Sequence, residues 1–152
     1  MSEIVIRPLA MSDRDAFNAF FDGLAPDARM FFNRHDGNRN WGLRFFTGTE
    51  TQDILRWVAV DGDEIVGYVF LWDTDTAVPY LGIGLAERMR GKRFGRTMIA
   101  HAANWAKEHG KGGILLTTHI ANLRAQIMYE DCGFTRLGTD TTGQEFVYLL
   151  RF

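Results

Sequence analysis

The segment from Leu81 to Thr97, LGIGLAERMRGKRFGRT, narrows the folds open to this chain more than any other stretch. It begins as an apolar strand, passes through a glycine-bearing cationic turn and enters a helix. In that helix Met98, Ile99, Ala102, Trp105 and Ala106 recur at helical spacing, so one face packs against a sheet. A strand that feeds a helix through a tight turn aims the helix's unpaired N–H groups at one place and builds an anion site. Arg88, Arg90, Lys92, Arg93 and Arg96 gather positive charge around that place. The ligand that suits it is a phosphate or pyrophosphate.

Two common phosphate loops do not fit. The dinucleotide pattern GxGxxG belongs at the end of a strand, whereas Gly82 and Gly84 lie inside one. The GxxxxGK[ST] pattern fails because Gly91 and Gly95 are one residue too close and Arg96 stands in the lysine position. What remains, Arg90-x-x-Arg93-x-Gly95, resembles the coenzyme A pyrophosphate loop of the GNAT N-acetyltransferase superfamily, [Q/R]-x-x-G-x-[G/A]. Arg93 is the departure, where that family keeps glycine. A side chain is tolerated there if Arg93 avoids positive φ and points outward, because the loop binds through backbone N–H groups. Downstream, Asn122 to Phe134 (NLRAQIMYEDCGF) is similar to the family's N-x-x-A-x-x-x-Y-x-x-x-G-F helix. The resemblance covers roughly Val78 to Phe134.

The element pattern agrees. Ile4 to Ile6 reads as a strand ended by Arg7-Pro8. Ser12 with Asp15 forms a capping box for a helix through Phe21, and Pro26 opens a second helix to about Asn33. Asp36 to Asn40 is a turn-rich break, with no strong pattern until Arg56. Arg56–Val60 and Ile65–Trp72 are strands joined through Asp61-Gly62. The strand of the opening segment follows Pro79, and its helix runs to His109 with Gly110 as cap. Ile114–Thr118 is a strand, Asn122 caps a helix to Cys132, and Phe134–Leu137 and Gln144–Leu150 close as a hairpin. The expected fold is α/β, a GNAT-like mixed sheet in the order β-α-α-β-β-β-α-β-α-β-β with helices on both faces. With 152 residues, one domain spanning 1–152 is expected.

Composition limits the partners. The balance of 17 basic and 19 acidic residues, net charge −2, argues against general nucleic-acid binding. No apolar run reaches the roughly 18 residues of a membrane helix. Glu3 and Arg7 interrupt the first apolar run, so no signal peptide is read, and the one cysteine suits a reducing compartment. A cytoplasmic protein is expected. His35, His101, His109 and His119 lack metal-ligand spacing, and Cys132 on an apolar helix face reads as core packing.

The resemblance implies acetyl-CoA as co-substrate and a small-molecule or peptide amine as acceptor, with homodimerisation left open. It implies that Ile83, Gly84 and Leu85 pair with pantetheine, one N–H there polarising the thioester carbonyl. Arg90, Gly91, Lys92, Arg93, Phe94, Gly95 and Arg96 form the pyrophosphate loop by the same resemblance. Gly82 and Gly84 share a strand face, which clears room for a ligand arm or marks a bulge. Asn122 caps its helix and, through the family, contacts coenzyme A. Tyr129, two turns on along the same face, reads as the general acid for the departing thiolate or as core. A lysine-like amine near pKa 10.4 costs roughly 4–5 kcal/mol to deprotonate at neutral pH, so a base matters. The positions where family members often keep one are Pro79, Leu81 and Thr117 here, and none takes a proton. His119 is the nearest substitute, or a structural histidine; water with Asp75 or Glu87 is another route. Phe31–His35 and Trp41–Phe46 map to the region that shapes the acceptor pocket. The readings weighed are a transferase with direct amine attack, a non-catalytic acyl-CoA sensor, and a nucleotide-binding or scaffold α/β protein.

Overall fold

A computed structural model describes residues 3–24, 43–48 and 53–152. The helix expected from Pro26, the turn at Asp36–Asn40 and most of the two aromatic segments lie outside the described residues. In the described residues seven strands form one sheet: β1 (Ile4–Pro8), β2 (Ile54–Asp61), β3 (Glu64–Trp72), β4 (Tyr80–Leu85), β5 (Gly113–His119), β6 (Thr135–Thr139) and β7 (Glu145–Arg151). Among the described residues four helices accompany them: α1 (Arg14–Asp22), α2 (Leu43–Thr47), α3 (Phe94–Glu108) and α4 (Leu123–Asp131). The spatial order is β1-β2-β3-β4-β5-β7-β6. Every pairing is antiparallel except β4 with β5. This is the mixed α/β sheet that the sequence led us to expect.

The core divides by strand parity. β3 is buried at every position from Ile65 to Leu71, as a central strand covered on both faces must be. Val58, Tyr68 and Phe70 meet Phe17, Phe20 and Phe21 of α1 on one face, with Phe17 and Tyr68 edge to face at 5.0 Å. Ala59, Val69, Leu71 and Leu81 meet Met98, Ile99, Ala102 and Ala106 of α3 on the other. Each fully buried large apolar side chain contributes roughly 1.5–3 kcal/mol of transfer free energy, so these two clusters hold the helices to the sheet.

Local rules place several boundaries. The β2–β3 turn pairs Asp61 with Glu64, and Gly62 takes φ +64°, which suits glycine. Gly110 and Gly133 follow α3 and α4 at φ +73° and +97°, the left-handed stops expected there. Two expectations are corrected. β1 continues through Pro8, paired with Trp57, because an edge strand tolerates the missing N–H. The first helix is not opened by a Ser12–Asp15 box. A short 3-10 turn, Met11–Asp13, comes first, and the Asp13 carboxylate accepts from the Ala10 N–H at 2.8 Å and from both terminal nitrogens of Arg7 at 2.7 Å. The hydrogen bond from Arg7 holds the Asp13 carboxyl below its usual range and ties α1 to the end of β1.

Candidate active site

β4 and β5 run parallel for one step and then separate. Their single paired position is Tyr80 with Leu115, where the Leu115 N–H donates to the Pro79 carbonyl at 2.9 Å. Beyond it β4 stays with β3 as far as Leu85, and β5 stays with β7 as far as His119. The fork between them opens into a cavity of about 730 Å³. Backbone direction alternates along a strand. Pro79 faces β5, whereas the Ala86 N–H donates to Val66 of β3 at 2.9 Å. Odd-numbered residues therefore turn their N–H and C=O toward the fork. Of the three strand residues expected to meet a ligand arm, Ile83 and Leu85 present open edge groups, and Gly84 spends its own on β3. The edge can accept an amide-bearing chain as an added strand.

Gly82 also has a packing role within the sheet. Gly82 pairs with Phe70, and a Cβ on Gly82 would overlap the Phe70 ring, its Cε1 at 2.6 Å and Cε2 at 2.8 Å. Gly82 is small to seat that ring, and both Gly82 and Gly84 border the cavity.

Past Leu85 the chain makes a 3-10 turn at Glu87–Met89, then the loop, then α3. No side chain caps α3, and no acidic residue lies in its first turn, so its leading N–H groups are available to an anion. Arg90, Gly91, Arg93, Phe94, Gly95 and Arg96 line the cavity, whereas Lys92 is exposed and off the wall. Three of the cations already carry partners. Arg88 reaches back to Asp61 at 3.0 Å on the β2–β3 turn, Arg90 pairs with Glu87 at 3.1 Å, and Arg96 pairs with Asp131 of α4 at 2.5 Å. An anion entering the loop thus meets backbone dipoles first and guanidinium charge second. A diphosphate on an amide-bearing arm fits both the loop and the open edge.

Arg93 does not avoid positive φ. It sits at φ +61°, ψ +14°, exposed, as the N-cap of α3, because the loop must turn left-handed to enter the helix. A non-glycine residue in that region costs roughly 1–2 kcal/mol, and glycine's extra chain entropy costs roughly 0.5–1. Arg93→Gly should raise stability by a net ~0.5–1 kcal/mol, read as a higher urea midpoint. Anion affinity should stay within a few-fold, since the N–H groups remain. A lowered midpoint would count against stored strain.

α4 brings two expected residues to the other wall. Asn122 Oδ1 accepts the Ala125 N–H at 3.3 Å, as a cap should, and Asn122 also lines the cavity. Tyr129 lines it as well, 6% exposed, its ring against Phe134 at 5.9 Å and Tyr148 at 6.1 Å. Burial pushes its phenol far above the ordinary value, so the hydroxyl remains a donor throughout the neutral range. Among the described residues that hydroxyl has no hydrogen-bond partner. Cys132, half-buried one turn later, has its thiol pushed up by burial.

His119 lines the fork on the β5 side. Its Nδ1 accepts the Ala121 N–H at 3.0 Å. A backbone N–H can only donate, so the neutral ring carries its hydrogen on Nε2. That leaves no ring lone pair for an incoming proton unless the Ala121 bond is given up. Of the water partners considered, Glu87 is held by Arg90, and Asp75 is not on the cavity wall.

Sequence reasoning missed Gln126. It is 4% exposed, and its amide donates to the Ile120 carbonyl at 2.9 Å and the His119 carbonyl at 3.3 Å. It therefore pins the β5–α4 turn that carries His119 and Asn122. Its position four residues after the cap was the available signal, a polar side chain on the buried stripe. Among the described residues no group of three or more His, Cys, Asp or Glu could hold a metal, and no helix is long and apolar enough to cross a membrane.

A family model described as the acetyltransferase (GNAT) family matches residues 16–134. Among solved structures, a domain from Methanocaldococcus jannaschii DSM 2661 aligns over 100% of both chains with TM-score 0.80 at 22% identity. The paia N-acetyltransferase from Thermoplasma acidophilum, in complex with coenzyme A, aligns over 99% of both with TM-score 0.77 at 20% identity. Spermidine N-acetyltransferase from Vibrio cholerae, in complex with CoA and spermine, covers 96% of this chain and 92% of its own, with TM-score 0.74 at 20% identity. At such identities the likeness speaks to the fold. No curated protein sequence matches significantly.

Proposed function

This chain belongs to the acetyltransferase (GNAT) family, and on that premise we propose that it moves an acetyl group from acetyl-CoA to a primary amine by direct attack. One observation carries the proposal: the unpaired β4 edge leads, through one 3-10 turn and the loop, to the uncapped start of α3. The α3 amides, with Arg93 and Arg96 beside them, hold the diphosphate. Ile83 and Leu85 pair with the amides of the pantetheine arm, and one of their N–H groups polarises the thioester carbonyl. Asn122 contacts the arm from the facing wall.

The amine nitrogen bonds to the carbonyl carbon, and the carbon–sulfur bond breaks. Tyr129, expected as the general acid, meets the departing sulfur as a hydrogen-bond donor. A thiol near pKa 8.5 is a weaker base as thiolate than a phenolate whose ordinary value is already near 10. Full proton transfer from the phenol is therefore uphill, and the stabilisation comes from the O–H left in place.

Thiol release from acetyl-CoA, measured against a panel of small primary amines and amine-bearing peptides, tests the reading. Release that depends on an amine and yields its amide is expected. Coenzyme A binding without release across the panel would instead make the chain an acyl-CoA sensor.

A further inference from the structure

We propose that Asp131 restrains coenzyme A binding by occupying the guanidinium that the diphosphate needs. The proposal rests on the acetyltransferase reading above, which puts a diphosphate at the start of α3. Arg96, the third residue of α3, lines the cavity there. Its Nη2 donates to Oδ2 of Asp131, the last residue of α4, at 2.5 Å. The pair forms where the two helices meet. One residue earlier, Met128 of α4 fills the space that a Cβ on Gly95 would take. The carboxylate is thus delivered to the loop by the packing of α4.

Each of the two charges stands at the end of its helix that disfavours it. A cation in the first turn and an anion in the last turn both oppose the macrodipole. α3 has no acidic residue in its first turn, and α4 has no basic residue in its last. Arg96 and Asp131 answer each other instead. The adjacent carboxylate, Glu130, is held by Tyr148 at 2.7 Å and by Arg136 at 3.5 Å.

A diphosphate at α3 would answer Arg96 in the same way and with more charge. The guanidinium has donors enough for both anions. Its single positive charge cannot neutralise both, and a carboxylate kept beside the diphosphate repels it. Binding is therefore a competition for Arg96. The two side chains are 37% and 46% exposed, so the exchange displaces no buried group, and its size is that of a surface ion pair.

Calorimetry on Asp131→Asn tests this, with coenzyme A and with pantetheine, which has the amide arm and no diphosphate. At low ionic strength coenzyme A affinity should rise about two- to fivefold, and the gain should shrink as salt screens the site. Pantetheine should bind both proteins alike. A folding defect would instead weaken both ligands. Arg96→Gln should weaken coenzyme A, and adding Asp131→Asn to it should restore less than half of the gain seen with Arg96 present. An equal gain without Arg96 makes Asp131 a general repulsive charge and overturns the competition. Unchanged or lower affinity in Asp131→Asn overturns it as well, and the transferase reading stands in each case. A wild-type protein that binds no coenzyme A overturns both.

Discussion

Tyr129→Phe should lower kcat by about 100-fold and leave coenzyme A affinity unchanged within about twofold, on the scale set by removing one hydrogen-bond donor to a developing charge. The asymmetry follows from what the hydroxyl touches. It lines the cavity and has no partner among the described residues, so its removal breaks no bond that holds α4. The ring keeps its contacts with Phe134 and Tyr148, and urea unfolding should register little change. An interaction made only as the carbon–sulfur bond breaks reduces kcat and kcat/KM together and leaves KM alone. A thioester with a more acidic thiol needs less help, so the deficit should narrow with such a donor. Because burial raises the phenol, no alkaline loss of activity traceable to Tyr129 is expected below about pH 10. Unchanged kcat in the variant removes Tyr129 from the chemistry and leaves it as core.

The parts of this molecule legible in the sequence are those decided within a few residues. Asp61-Gly62 needs only its own backbone to close β2 on β3, and Asn122 needs only Ala125 to cap α4. The stripe on α3 follows from helical geometry, and the loop before it carries enough spacing to identify its family. What escaped was decided by strand order. Nothing local says that the last strand inserts beside β5 rather than at the sheet's edge, so the meeting of Thr117 with Glu145 had no sequence signal. The pairing of Arg96 with Asp131, 35 residues apart, is likewise set by how α3 and α4 meet rather than by anything local. Arg93 shows a further limit. Its neighbours required a left-handed residue, but its own identity argued against one.

Gly82 is the position where that non-local logic most clearly turns an added methyl into a loss of stability. Gly82→Ala should lower the unfolding free energy by about 2–3 kcal/mol, the upper range for overpacking a filled core. The added methyl would meet the Phe70 ring at three atoms, and aromatic neighbours hem the ring in away from the cavity. It is 3% exposed, stacked on Tyr68 at 5.0 Å and tilted against Trp72 at 5.1 Å. Tyr68 is in turn braced edge to face by Phe17. Relief comes from β4, whose far edge is the fork, or from the ring shifting toward the cavity it borders, so the strain should also reach ligand affinity. A double-mutant cycle isolates the cause. Phe70→Ala alone should cost about 3–5 kcal/mol through its cavity. Combined with Gly82→Ala it should cost less than the sum by at least ~1 kcal/mol, because the new methyl then occupies space the ring vacated. Urea unfolding of the four proteins measures this, and strict additivity would mean that Gly82 is not there to seat the ring.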